Sequence, residues 1–389
     1  MPTLNMLQVE QALKLWYLEG LRYQLNETTS DFLNMLERSS KEVRGLKIVM
    51  ALRYGRSGGV GNRADDGDLP TPNARKTKQA EWDTKNVFAR MHISDKAIEA
   101  ARGSAAAFAP TLETTLEDLQ NDAKFNLSRQ AWGDTTGLLA TIPAGGVTGS
   151  VITLSAAVIW LFAEGMLIDS YNVDAIRQAG MEVTAVDDVA NTITVDTIGA
   201  TAAADGLYIA GSKGLELTGM AAVAAQSGSI YGLSRTTYPF LKMTNIAVNG
   251  EISEIVIQRA IDTAKRKTGA KTNFLVCSQG VKRAYQNLLT AQKQLVNTIE
   301  LKGGGKALSF NGLPLVDDLF APAGKLYALA TDDWKMYEMA DWDWLDNRTG
   351  NIMMRVPGKA VYEASLRKYA DIGCSRLRGQ TCLENIQEH

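Results

Sequence analysis

The sequence predicts a mixed fold of helices and strands from which one long hairpin arm projects. Three observations lead there. A Gly-rich, charged, proline-studded stretch at Arg53 to Arg90 runs into an Ala-rich helical stretch from Ser94 to Trp132, and from about Thr148 to Ala210 the pattern switches to short strand signals split by turns. An arm of that polarity buries too little apolar surface to hold itself in place, so it needs a neighbouring surface to lie on. The simplest neighbour is another copy of the same chain.

Residues 1 to about 50 carry helical periodicity in Leu7, Leu13, Leu18, Leu21 and Leu25, then in Phe32, Leu33 and Leu36 after the capping group Thr28, Thr29, Ser30 and Asp31. They read as an N-terminal arm of one or two amphipathic helices. Leu46 to Leu52 (LKIVMAL) is apolar and partly β-branched, after which Gly55, Gly58, Gly59, Gly61 and Gly67 with Pro70 and Pro72 forbid a long element. Glu81 to Ile93 reads as the returning strand, so residues 51–93 make one extended loop. Ser94 caps a short helix. A second helix runs from about Ala105 to Trp132, with Phe108, Leu112, Leu116, Leu119, Ala123 and Leu127 on one face and Pro110 tolerated near its start. At ~1.5 Å per residue it spans about 40 Å, a spine on which other parts can be hung.

Hydroxyl and β-branched residues alternate through 148–210, which suggests a small β module inserted into a larger domain. Glu251 to Lys267 then reads as a helix, Thr272 to Cys277 as a buried strand and Gln279 to Gln292 as a helix, so a helix-and-strand core resumes after the insertion. Lys302, Gly303, Gly304, Gly305 and Lys306 form a flexible loop; Asn311 to Val316 and Lys325 to Ala330 are strand-like. Tryptophans and acids crowd Asp333 to Asp346, and a final long strand runs from Ile352 through Leu366 towards Ile372. No unit repeats, which excludes a solenoid.

The 389 residues are 45% hydrophobic and 22% charged, an ordinary globular balance with room for two or three domains. Forty-one basic against forty-three acidic residues give a net charge of -2, so no global basic field exists to drive strong nucleic-acid binding. Cys277, Cys374 and Cys382 lack CxxC spacing, which fits buried thiols in a reducing compartment. The N-terminus has no secretory pattern, and the longest apolar run, Ala156 to Ala163, falls far short of the ~20 residues a membrane helix needs. A cytosolic site of synthesis and no membrane association are the expectation.

Gly59 to Ala64 fits GxGxxA, but Asp65, Asp66, Gly67, Asp68 and Pro70 follow, putting acids where a pyrophosphate would sit and breaking the helix that fingerprint requires. Gly303 to Lys306 lacks the Ser or Thr of a P-loop, since Ala307 stands there. His92 and His389 are the only histidines, leaving almost nothing for a Ser-His-Asp or Cys-His system. The acids at 65–68 lack the Glu of a calcium loop near Lys76 and read as solvated. No cofactor and no metal are expected. Arg75, Lys76 and Lys78 beside those acids give the arm opposite charges at neighbouring places, suited to docking on a complementary neighbour. Trp334, Trp342 and Trp344 with Tyr337, interleaved with Glu338, Asp341, Asp343 and Asp346, read as core or subunit-contact aromatics.

Taken in order, these parts resemble the major capsid protein of tailed bacteriophages with the HK97-type fold, over nearly the whole chain. The segments that carry the resemblance are the arm, the loop at Arg53 to Arg90, DLQNDAKFNLSRQAWGD at Asp118 to Asp134, VCSQGVKRAYQNLL at Val276 to Leu289, KGGGKALSFNGLPLV at Lys302 to Val316, and a tail with YEMADWDWLD and RVPGKAVYEASL. The resemblance implies an α+β protomer. Its parts would be an N-terminal arm at 1–50, an extended loop at 51–93, a peripheral domain at 94–140 and 331–389, and an axial domain at 141–330 holding the β insertion. The extended loop would lie across the adjacent subunit through Arg53, Arg75, Lys76, Lys78, Trp82 and Lys85, and Lys302 to Lys306 would sit near the axis of pentamers and hexamers.

Some relatives join a loop lysine to an asparagine of another subunit with help from a buried glutamate, a step that needs a neutral, desolvated lysine. This chain offers Lys76, Lys78 or Lys85 with Asn347 or Asn351 and Glu363, and no local pattern fixes the choice. With only about fifty residues ahead of the loop, a separate scaffolding protein is expected, together with a portal protein, a decoration protein and weak, non-specific contact with packaged double-stranded DNA. The resulting expectation is a non-catalytic shell protein of the virion capsid, assembled in the bacterial host cytoplasm. The competing readings are an encapsulin-like compartment holding enzyme cargo and, from another class, a nucleotide-binding enzyme resting on Gly59 to Ala64.

Overall fold

The computed structural model describes residues 30–55, 59–96, 105–291, 298–300, 306–346 and 352–389. The helices expected at 7–25, the loop at 302–305 and the asparagines at 347 and 351 lie outside them. The chain divides into two compact units, Gly133–Gly219 and the remainder.

The smaller unit is a β structure with strand order Leu138–Thr141, Gly206–Ile209, Leu167–Asn172, Ala175–Asp187, Thr192–Val195, Val151–Thr153 and Val147–Thr148. Ala175–Asp187 ties it together by pairing antiparallel with Leu167–Asn172 at one end and Thr192–Val195 at the other. The alternation seen in the sequence buries Ile152, Ile168, Met181, Val183, Ile193 and Leu207 in one core. The buried carboxylates of Asp169 and Asp205 accept backbone hydrogen bonds. Asp169 accepts from Gly180 (2.7 Å) and Gly211 (2.8 Å), and Asp205 accepts from Ala202 (2.8 Å).

In the larger unit the Ala105–Trp132 helix forms as the leucine spacing requires, burying Leu116, Leu119, Ala123 and Leu127. Its last residue, Trp132, sits 5.4 Å from both Phe32 and Tyr327, and Phe32 meets Trp334 edge-on at 5.3 Å. The short Asp31–Asn34 helix is held there by Asp318, which is 2% exposed and accepts from the Ser30 hydroxyl (2.5 Å), Phe32 N (3.4 Å) and Phe320 N (3.0 Å).

One sheet of this unit runs Thr244–Gly250, Thr381–Ile386, Leu326–Leu329, Phe274–Cys277, Leu313–Asp317, Lys306–Phe310 and Thr298–Glu300. Its two central strands, Phe274–Cys277 and Leu326–Leu329, are buried along their whole length, which is why they read as unbroken apolar runs. Two helices contribute to its core: Glu254–Thr268 through Ile257 and Ala260, and Gln279–Ala291 through Val281 and Tyr285. Ser253 caps the first helix and Gly269, at φ +70°, ends it.

The other large sheet is centred on Val361–Cys374. Lys85–Ser94 pairs along one edge from Val361↔Ser94 to Ala370↔Lys85, and Trp334–Trp344 pairs along the other, with Glu37–Ser39 parallel outside it. The sequence reading of one unbroken strand from Ile352 is corrected here. Pro357 and Gly358 (φ +76°) turn the chain, so Met354–Arg355 pairs back on Glu363 and Tyr362 as a short hairpin. Trp334, Trp342 and Trp344 are core residues, with exposures of 3% or less.

Burial pushes the carboxyls of Asp31, Asp122, Asp318 and Asp333 above their ordinary value of 3.8, and burial is the leading cause in each. A raised folded-state value means the folded chain holds the proton more tightly than the unfolded chain. These groups therefore add stability as pH falls from the raised values towards 3.8, and that contribution is lost as pH rises. The melting temperature of the unassembled subunit is expected to rise from pH 7 to 5, and Asp318→Asn to flatten the slope; a steeper fall in acid for the wild type than for the variant would contradict this.

Candidate assembly surfaces

The extended loop begins as a regular hairpin. Lys47–Tyr54 pairs antiparallel with Lys76–Asp83 from Lys47↔Asp83 to Tyr54↔Lys76, and after Thr84 the chain continues into Lys85–Ser94. Period-2 alternation turns Ile48, Met50 and Leu52 inward, with Ala80 buried on the return strand. These side chains find their cover within the same chain. Trp82 lies 4.3 Å from Tyr231 and 5.8 Å from Tyr337, the Tyr337 hydroxyl donates to Met50 Sδ (3.4 Å), and Tyr54 stacks on Phe240 at 4.3 Å. The expectation that the whole arm finds no cover of its own is corrected by this packing: the paired strands are anchored in their own chain, while the tip from residue 59 to 75 is largely exposed.

Tyr231 is the anchor. Its carbonyl accepts from Glu81 N (3.2 Å), its hydroxyl accepts from Cys374 N (3.0 Å), and burial pushes its phenol well above 10.0. Gly232 follows at φ +72°, where a Cβ would stand 2.6 Å from the Glu81 carbonyl oxygen. Gly232→Ala is expected to cost roughly 1–2 kcal/mol for the left-handed backbone alone, with the clash in addition. Limited proteolysis within 47–83 is expected to accelerate, and an unchanged digestion rate would show that the hairpin is held elsewhere.

The tip, from Gly59 onward, carries no helix. Gly67 N donates to Ala64 O (3.0 Å) and Arg63 Nε to Asp68 O (3.1 Å), which close a small turn and leave Asp65, Asp66 and Asp68 exposed. Gly59 to Ala64 therefore opens no helix and offers no pyrophosphate cradle. Val60 and Leu69 flank the acids, each 86% exposed.

Where the hairpin strands end, a cleft of roughly 870 Å³ opens. Arg53 and Arg75 line it from the hairpin. Lys265, Arg266 and Lys267 line it from the last turn of the Glu254–Thr268 helix, where the macrodipole favours cations, and Arg376 and Arg378 from the turn before the last strand. Its apolar lining residues include the half-buried Phe240, while Leu52, Leu241 and Leu377 are themselves buried. No carboxylate is among its lining residues; Asp333 reaches Arg376 at 3.3 Å, and burial, then Arg378, push the Lys267 ammonium down.

The other site residues expected from sequence fall as follows. Lys76 is exposed where the return strand begins, and Lys78 stands 5.6 Å over the Tyr238 ring. Lys85 is half-buried opposite Ala370. Glu363 faces His92 in the ladder and forms an ion pair with Arg90. Lys76 and Lys78 precede Thr84 while Glu363 pairs near the far end of the following strand, so one chain does not bring them together. Lys306 opens the Lys306–Phe310 strand opposite Glu300, and residues 302–305 and Asn351 lie outside the described residues.

The three thiols are free and buried; burial pushes Cys382 up to about 12 and the other two higher still, which leaves no thiolate for nucleophilic work. Among the described residues no group of His, Cys, Asp and Glu could hold a metal, and no helix is long and apolar enough to cross a membrane. The basic cleft escaped sequence reading because its cations come from three distant segments.

No family model matches the chain, and no curated protein sequence matches it. Its architecture does have counterparts. It superposes on the capsid of cyanophage A-1(L) with a TM-score of 0.56 and 13% identity, covering 92% of this chain and 93% of that one. The fold is that of a phage capsid subunit. It agrees with the HK97-type α+β capsid fold expected from the sequence. Less similar are the capsid of an empty GTA particle (TM-score 0.49, 9% identity, 93% and 91% covered) and the SrpI encapsulin of Synechococcus elongatus PCC 7942 (0.46, 9%, 92% and 88%). At 13% identity the capsid fold is shared while the side chains are not, so the arm and the cleft rest on their own chemistry.

Proposed function

We propose that this chain is the major capsid protein of a tailed phage, a non-catalytic subunit that assembles into pentamers and hexamers of an icosahedral shell around double-stranded DNA. The single observation that carries the reading is the superposition on the cyanophage capsid over nearly the full length of both chains. In this reading the hairpin tip at 59–75, with Arg53, Arg75, Lys76 and Lys78 at its root, reaches a neighbouring subunit, whereas Trp82 and Lys85 fix the arm to its own body. The spine helix and the sheet centred on Val361–Cys374 make the peripheral part, the sheet containing Phe274–Cys277 with its two helices makes the axial part, and Lys302 to Lys306 lie near the axis. A separate scaffolding protein, a portal and a decoration protein complete a particle built in the host cytoplasm, with weak backbone contact to the packaged DNA.

The test is electron microscopy of the purified chain, produced with and without its neighbouring genes. Closed polyhedral shells or capsomer rings are expected, and their diameter separates a genome-sized head from a small cargo compartment. A monodisperse monomer under both conditions would overturn the reading. Covalent joining through Lys76 or Lys78, Asn351 and Glu363 belongs to the same test: boiled particles running as one 42.2 kDa band would remove it.

A further inference from the structure

The hairpin carries two features that the described residues of its own chain leave unmatched. At its tip, Asp65, Asp66 and Asp68 outweigh Arg63 and give 59–74 a net charge of -2, with Val60 and Leu69 projecting beside them at 86% exposure. At its root lies the cleft, lined by seven cations, of which among the described residues only Arg376 has a carboxylate partner, Asp333. Like charges gathered without counter-charge raise the free energy of the isolated chain, and an oppositely charged insert relieves it.

The two surfaces match in kind as well as in sign. The tip offers carboxylates flanked by two exposed aliphatic side chains; the cleft offers guanidinium and ammonium groups with the half-buried Phe240 among its lining residues. Its volume, roughly 870 Å³, lies at the upper end of the ~300–1,000 Å³ typical of binding pockets. The tip does not line the cleft of its own chain.

We propose that the cleft receives the acidic hairpin tip of a second copy of this chain. The proposal rests on the shell-forming reading and adds the receptor for the arm. Tip and cleft are different patches, so the contact is heterologous and propagates head to tail, closing into a ring when the rotation per subunit allows. Arg53 and Arg75 stand at the mouth of the cleft and at the root of the next tip, so filling one cleft also orders the hairpin that reaches onward.

The experiment is a charge swap in the full chain. One variant carries Asp65→Lys, Asp66→Lys and Asp68→Lys; a second carries Lys265→Glu, Arg266→Glu and Arg378→Glu; a third carries all six changes. All six positions are exposed, so each subunit is expected to keep the wild-type melting temperature before assembly. Each triple variant is expected to lower the yield of shells or rings, read by sedimentation and microscopy, at least tenfold, and the six-fold variant to restore it. A disulfide pair, Asp66→Cys with Arg266→Cys, is expected to give a ladder of linked chains on a non-reducing gel, while either cysteine alone gives none, because the native thiols are buried.

Shells that form normally in both triple variants would overturn the docking while leaving the capsid reading intact. So would shells of the cleft variant that assemble but lose DNA content, an outcome that assigns the cleft to the genome. A wild-type chain that forms no particle would overturn the capsid reading itself, and this proposal with it.

Discussion

Lys368→Met is expected to destabilise the subunit by about 3–5 kcal/mol, the cost of removing one partner from a buried ion pair. The side chain of Lys368 is fully buried in the long sheet, with Nζ 2.7 Å from Glu338 and 2.8 Å from Asp341. Truncation leaves two carboxylates facing each other without their cation. Asp341 keeps a hydrogen bond from Trp342 N (2.8 Å) and is 36% exposed, and Arg38 reaches Glu338 at 3.7 Å, so the loss is expected at the lower end of that range. Denaturant unfolding of the unassembled subunit measures this, and a loss no larger than the ~1 kcal/mol of an exposed ion pair would show that the buried charge of Lys368 is not needed.

The second large effect is expected at Trp334. Its ring is fully buried, edge-on to Phe32 at 5.3 Å, and Trp334→Ala is expected to cost about 3–5 kcal/mol in lost transfer energy and cavity. The indole nitrogen of Trp334 has no hydrogen-bond partner among the described residues. Trp334→Phe therefore gives up ring volume and no polar contact, and is expected to cost well under half as much as the alanine variant. Equal losses for the two variants, measured by the same unfolding experiment, would show that a polar contact of the indole dominates.

Elements whose burial follows from local periodicity were legible in the sequence. The leucine spacing of Ala105–Trp132 and the uninterrupted apolar runs at Phe274–Cys277 and Leu326–Leu329 each declare their own burial. Trp334–Trp344 was harder to read because its acids are covered by partners distant in sequence, Lys368 on the next strand and Arg38 near the described N-terminal edge. The turn at Pro357 and Gly358 was missed for the opposite reason, since apolar residues on both sides suggested continuity. The arm was half legible: its exposed tip follows from composition, but the aromatic seat beneath Trp82 depends on Tyr231 and Tyr337, which no local pattern connects to it. The cleft needed the fold, because Arg53, Arg266 and Arg378 share nothing in sequence.

The passage of the hairpin through Thr84 into Lys85–Ser94 has a mechanical consequence. The returning leg of the arm, Lys76–Asp83, passes through the single residue Thr84 into Lys85–Ser94, which is paired along its length with the central strand Val361–Cys374. Tension applied at the tip along the arm is delivered along the strand axis, across hydrogen bonds that lie perpendicular to it. The ladder is then loaded in shear, its bonds sharing the pull together. A wall of such subunits, linked tip to body, would resist internal pressure as a woven fabric resists stretching, by threads that must slide as a whole before any one of them parts.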